Sequence, residues 1–215
     1  MAKIVPGILT SNEEEYHRKL LMAEYVSDLI QIDVVDGKFS ANATVGLDVI
    51  KKYPSSAMLE IHLMVVYPQN YISELAKLEY VSRIIFPFEI DCDTGQDLYI
   101  IKSYGKQAGL SLNFDTPIGA AFHFFDDIDL LLLMTGRPGY SGQKLGQNTY
   151  DRIKEVKKLT LELPVEIDIG VNFDNAAQLT QAGANFLVAS SCLYEASDFG
   201  IAYEKLERKA NLKHF

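Results

Sequence analysis

The chain has 215 residues, 48% hydrophobic and 23% charged, with a net charge of −9 at pH 7. That length supports one sizeable domain, taken as 1–215, and is short for two. The acidic balance, with no basic block, excludes general nucleic-acid binding, and no apolar run approaches the ~18 residues of a membrane span.

Met1 to Pro6 lacks the apolar core of a signal peptide and leads straight into a strand over Lys3 to Leu9, expected to break at Pro6-Gly7. Thr10-Ser11-Asn12 followed by Glu13-Glu14-Glu15 is a helix start, with capping side chains and then acids in the first turn. This helix runs to about Glu24. Leu29 to Val35 is a short β-branched run ending in Asp36-Gly37, which reads as a buried strand entering a turn. Then come a helix over Gly46 to Lys52, a strand over Met58 to Val66 and a helix over Pro68 to Leu78. A strand over Tyr80 to Glu89, a helix over Thr94 to Gly105 and a strand over Leu110 to Asn113 follow. The rest alternates likewise: helix Pro117 to Phe124, strand Ile128 to Thr135, a glycine-rich loop to Gly146 and helix Asn148 to Leu161. Strand Val165 to Ile169, helix Phe173 to Ala182, strand Asn185 to Ala189 and helix Ala202 to Lys209 complete it.

Eight strands thus alternate with eight helices, and the strands are continuous apolar runs, as when both faces are buried. This is the pattern of a parallel (β/α)₈ TIM barrel in the α/β class. A doubly wound open sheet is the competitor, but no Gly-x-Gly-x-x-Gly follows the first strand. Two distant cysteines, Cys92 and Cys192, make no disulfide framework and fit a cytoplasmic protein. The aromatics Phe122, Phe124 and Phe125 on one short helix suggest an interface, or packing under the barrel.

The chemistry concentrates at strand ends. Gln31 and Asp33 lie two apart on the second strand and so share a face. A carboxylate on a buried strand needs pairing, hydrogen bonds or a metal. His62 and Asp168 occupy the third and seventh strands, and the active site of such a barrel lies at the C-terminal strand ends. Two carboxylates across a pocket can take a proton from one face of a carbon and return it to the other. Two carboxylates and an imidazole can equally hold a divalent metal. A second cluster, Arg137 to Gln143, Ile169 to Asn172 and Ala189 to Ser191, is rich in small residues that let backbone N–H groups approach an anion. Loops after strands seven and eight are the usual phosphate site of this barrel.

The chain resembles the ribulose-phosphate 3-epimerase family from end to end. Six segments carry the likeness: Pro6-Gly7-Ile8-Leu9-Thr10; Ile32-Asp33-Val34-Val35-Asp36-Gly37-Lys38-Phe39; Ile61-His62-Leu63-Met64-Val65; Leu112-Asn113 with Thr116-Pro117; Leu133-Met134 through Pro138-Gly139-Tyr140-Ser141-Gly142-Gln143; and Glu166-Ile167-Asp168-Ile169-Gly170-Val171-Asn172. The resemblance implies an isomerase that inverts C3 of a phosphorylated ketose through an enediolate, with Asp33 and Asp168 as the acid/base pair. It implies Asp33, His62 and Asp168, with Gln31, around a divalent metal (Zn, Mn, Fe or Mg). It implies phosphate on Gly142, Gly170, Ser190 and Ser191, substrate contacts from Thr10, Met64 and Met134, and a homo-oligomer.

The chain also departs from the family pattern. Gln31 stands where the family has a His, which weakens the metal site because an amide oxygen is a poorer ligand for a transition metal than imidazole. Pro87 replaces the fourth-strand His, Gly7 a Ser, and Arg137 an Asn. Ser141-Gly142 and Ile169-Gly170 replace Gly-Gly pairs, and Ser190-Ser191 a Gly-Ser pair. These changes sit at the site while the scaffold motifs stay. They fit a shifted substrate or, alternatively, a weakened barrel that binds a sugar phosphate as a sensor or accessory protein. A sugar-phosphate decarboxylase is disfavoured, because no Lys lies two residues after Asp33.

Overall fold

The computed structural model describes residues 1–212. Its strands are β1 (Lys3–Ile8), β2 (Leu29–Val35), β3 (Met58–Met64), β4 (Val81–Pro87), β5 (Gln107–Leu112), β6 (Leu130–Met134), β7 (Val165–Asp168) and β8 (Phe186–Ala189). They pair in sequence order, all parallel, and β8 returns to β1, so the barrel closes and no sheet edge remains. The helices are α1 (Glu13–Glu24), α2 (Leu47–Lys52), α3 (Gln69–Ala76), α4 (Thr94–Ser103), α5 (Thr149–Leu159), α6 (Ala176–Ala182), α7 (Ser191–Tyr194) and α8 (Phe199–Ala210).

Burial on both strand faces explains the continuous apolar runs. In β2 every residue is buried. Ile30, Ile32 and Val34 face the helices and join the large core between barrel and helical ring. Gln31, Asp33 and Val35 alternate with them and point inward. Near the mouth the interior holds Val35, Met64, Ile85, Leu132 and Met134; near the floor it holds Val5 and Leu29. Between these apolar layers lies a polar one that the sequence reading did not single out. Arg83 Nη1 meets Glu60 Oε2 at 2.5 Å and Glu166 Oε2 at 3.7 Å, and Arg83 also donates to Gln107 Oε1 at 2.8 and 3.0 Å.

Several sequence-based expectations need correction. β1 runs unbroken through Pro6-Gly7, with Pro6 level with Ala189 and Gly7 level with Gln31. Gly7 is required there because a Cβ would stand 2.7 Å from Val188 Cγ1. Strand β5 begins at Gln107, three residues earlier than expected, since Gly109 still pairs with β4 and β6. The segment Ile118–Phe124 is a 3₁₀ helix rather than an α-helix, with Phe125 N bonded to Phe122 O. The short α7 was not foreseen. Of the three aromatics near residue 123, Phe125 is in the core, Phe124 packs edge-on against Phe88, and Phe122 is exposed.

Candidate active site

Two neighbouring strands, β2 and β3, and a third, β7, deliver the ionisable groups. Asp33 and His62 are level with each other on β2 and β3, and Asp168 ends β7 beside Met134 of β6. His62 Nδ1 lies 3.4 Å from Asp33 Oδ1 and 3.5 Å from Asp168 Oδ2. All three side chains are buried, His62 completely. Gln31 sits one layer below and donates from Nε2 to Asp33 Oδ1 at 2.9 Å and to Asp168 Oδ2 at 3.3 Å. Thus the four residues predicted to meet around a metal do converge.

The electrostatics follow from crowding two carboxylates in a dry place. Burial pushes Asp33 up to about 6, and the Asp168 charge adds to it, against the opposing pull of His62. Burial works against charge on His62, yet the facing carboxylates of Asp168 and Asp33 outweigh it and carry its pKa up to about 9. One layer down, burial and then the neighbouring Glu60 carboxylate raise Glu166 well above the usual carboxylate range.

The residues fit a divalent cation. One donor atom from each of Asp33, His62 and Asp168 lies within 4.8 Å of the others. Neither ring nitrogen of His62 makes a hydrogen bond, and the buried Oε1 of Gln31 has no partner. Orphaned buried polar atoms are costly, and a cation at the centre would satisfy several together. A mixed nitrogen and oxygen donor set suits Zn, Mn or Fe, and Mg less well. A proton on His62 and a cation answer the same need, since either compensates the paired carboxylates.

Asp33 and Asp168 line a cleft at the barrel mouth. Met64 and Met134 line it, as do Gly139 to Gly142, Ile169 to Val171, Ser190 and Ser191. The residues expected to take phosphate therefore share a cleft with the carboxylate pair. Gly142 (φ 74°) and Gly170 (φ 78°) adopt left-handed backbone, and a Cβ on Gly170 would stand 2.5 Å from the Leu145 nitrogen. Thr10 stands apart from the cleft lining; its hydroxyl donates to Glu15 Oε2 at 2.5 Å. The loop after β6 crosses toward the loop after β2, where Ser40 Oγ donates to Pro138 O at 2.8 Å and Asn42 Nδ2 to Gly139 O at 2.7 Å.

The Glu60, Arg83 and Glu166 layer beneath the site escaped the sequence reading. Its signal was available, because Glu60 precedes His62 by two and Glu166 precedes Asp168 by two, the same inward spacing as Gln31 and Asp33.

A closed (β/α)₈ barrel with its acids, imidazole and small-residue loops at the C-terminal mouth belongs to the class of barrels that carry their chemistry there. The chain belongs to the ribulose-phosphate 3-epimerase family, whose profile matches residues 3–194. It is 37% identical over 207 residues to the ribulose-phosphate 3-epimerase of Bacillus subtilis, covering 92% of this chain and 94% of that one. It is 33% identical over 195 residues to that of Buchnera aphidicola, covering 87% and 85%. Among solved structures, Mycobacterium tuberculosis tryptophan synthase superposes with a TM-score of 0.72 at 16% identity over 99% of this chain and 93% of that one, a likeness of fold alone. No helix among the described residues is long and apolar enough to cross a membrane.

Proposed function

We propose that this protein inverts C3 of a ketose phosphate, interconverting ribulose 5-phosphate and xylulose 5-phosphate or a related pair. The observation that carries the reading is the pair Asp33 and Asp168, supplied by opposite sides of the barrel and brought to one imidazole at the head of the cleft. One carboxylate removes the C3 proton from its face of the substrate, and the other acid delivers a proton to the opposite face. Burial raises Asp33 toward neutrality, which makes it a better proton acceptor and donor near physiological pH. Met64 and Met134 line the cleft and exclude water. The small-residue loops at Gly142, Gly170, Ser190 and Ser191 receive the phosphate at the other end, fixing C3 between the acids.

Asp33, His62 and Asp168 would hold a divalent cation, with Gln31 turning its amide oxygen inward, and that cation would supply positive charge beside the developing enediolate oxygens. The two cysteines are free, and burial raises both thiols to about 11, so neither is a reactive thiolate near neutral pH.

A second reading, a barrel that binds a sugar phosphate without turnover, is favoured by Gln31, whose amide nitrogen already occupies both carboxylates. Exchange of the C3 proton of ribulose 5-phosphate in D₂O, followed by NMR with chelator or with added Zn²⁺, Mn²⁺ or Mg²⁺, separates the two. Exchange with formation of xylulose 5-phosphate supports the epimerase. Binding without exchange under every metal supports the second reading.

A further inference from the structure

Among the described residues one non-glycine position has left-handed backbone: Ile169, at φ 78°. For a β-branched residue this is a true outlier, because its Cβ crowds the neighbouring carbonyl. Such strain persists only where the surroundings enforce it, and it gathers at functional sites.

Here the surroundings do enforce it. The Ile169 amide donates to Oδ1 of the preceding residue, Asp168, at 2.7 Å. The Thr135 hydroxyl reaches the Ile169 carbonyl at 2.5 Å and the Asp168 carbonyl at 3.1 Å. The next carbonyl, of Gly170, accepts from Asn172 Nδ2 at 3.2 Å and from Asn175 Nδ2 at 2.7 Å. A glycine would satisfy all of these bonds without strain, so the backbone alone gives no reason for an isoleucine.

The reason lies with the side chain. It packs against the apolar group that includes Met64 and Met134, and it lines the cleft. Room has been made for it: a Cβ on Gly136 would stand 2.9 Å from Ile169 Cγ2. In sequence and in space Ile169 lies between Asp168, at the carboxylate end of the cleft, and Gly170, at the small-residue end.

We infer that Ile169 is a specificity-determining residue that restricts the cleft to five-carbon ketose 5-phosphates and rejects six-carbon ketose 6-phosphates. This rests on the proposed function for the placement of sugar and phosphate. In a ketose 5-phosphate two carbons separate C3 from the phosphate ester oxygen; in a 6-phosphate there are three. With C3 fixed at the acids and phosphate at the loops, the additional carbon and its hydroxyl must bulge sideways, and the sec-butyl group fills that space. A single carbon unit in a tight pocket discriminates by roughly 10- to 200-fold.

The test is calorimetric binding of ribulose 5-phosphate and fructose 6-phosphate to the wild type, Ile169→Ala and Ile169→Gly, with circular dichroism to verify folding. The wild type is expected to prefer the pentulose phosphate by about tenfold or more. Both variants should reduce that ratio at least several-fold, chiefly by gaining affinity for the hexulose phosphate. Ile169→Ala retains a Cβ and some strain, so agreement of the two variants assigns the effect to side-chain volume. A ratio that is unchanged, or affinities that move together for both sugars, overturns the inference, as does a wild type that binds neither sugar. Because binding is read directly, a wild type that binds ribulose 5-phosphate selectively but exchanges no C3 proton would remove the catalytic reading while leaving this one standing.

Discussion

Gln31 and Asp33, two residues apart on one strand, point the same way into the barrel, and Gln31 Nε2 donates to Asp33 Oδ1 at 2.9 Å. The amide thus tethers one of the two acids and, at 3.3 Å, reaches the other. An imidazole in its place would present a ring nitrogen to the same centre and is a stronger ligand for a transition metal. Gln31→His is expected to raise the metal content of purified protein and to tighten Zn²⁺ or Mn²⁺ binding by about tenfold or more, within the usual range for a changed ligand environment. Equal metal content and affinity in the two proteins would place Gln31 outside the metal shell.

Asp33→Asn and Asp168→Asn remove one acid/base group each while preserving shape. Each should lower turnover by roughly 10²- to 10⁴-fold with the far-ultraviolet circular dichroism unchanged. Near-normal turnover in either variant would rule out a two-base mechanism.

The paired acids also set the response to pH. Burial places Asp33 at about 6 in the fold, against ~3.9 in an unfolded chain. Between those values the folded protein binds more protons than the unfolded one, so stability falls as pH rises. His62, carried to about 9 by its carboxylate neighbours despite burial, against ~6.5 unfolded, extends the fall into the alkaline range. Chelated protein should therefore show urea midpoints that decline from about pH 4 to about pH 9. In His62→Gln the decline above about pH 6.5 should flatten. If it keeps its full size, His62 is not its source.

Arg83 stands between two buried glutamates, with Nη1 2.5 Å from Glu60 Oε2 and 3.7 Å from Glu166 Oε2. Arg83→Met leaves Glu60 and Glu166 unpaired, and one partner lost from a buried ion pair costs about 3–5 kcal/mol. Chemical denaturation should report a loss of that order at neutral pH. A triple replacement of Arg83, Glu60 and Glu166 by apolar residues of similar size should recover much of it, since an apolar core avoids the desolvation of charge. Failure to recover would mean that the layer contributes through packing that the replacements do not reproduce.

Much of this is legible in the sequence. Strand and helix alternate so regularly, with both strand faces apolar, that a closed parallel barrel follows from the pattern. Asp33, His62 and Asp168 stood out because each is an ionisable residue in an apolar run. Glu60, Arg83 and Glu166 are just as anomalous, but they lie earlier in their strands, away from the C-terminal ends where attention falls. The strand through Pro6-Gly7 was misread because local propensity opposes it, whereas the tight fit of Gly7 against Val188 is a long-range constraint. The convergence of Gln31 on both acids depends on the side-chain reach across the barrel, which spacing along one strand does not encode. The left-handed turn at Ile169 is likewise imposed by Thr135, Asn172 and Asn175 rather than announced by the residue itself.

Ser40 and Asn42, reaching over to the carbonyls of Pro138 and Gly139, close a bridge across the barrel mouth. Two hydrogen bonds of this kind are worth about 0.5–1.5 kcal/mol each, little more than thermal energy. The bridge is therefore a latch weak enough for thermal motion to lift, so the two loops can part without any deep rearrangement of the barrel. Joined, the same contacts tie the loop after β6, which lines the cleft, to the loop after β2.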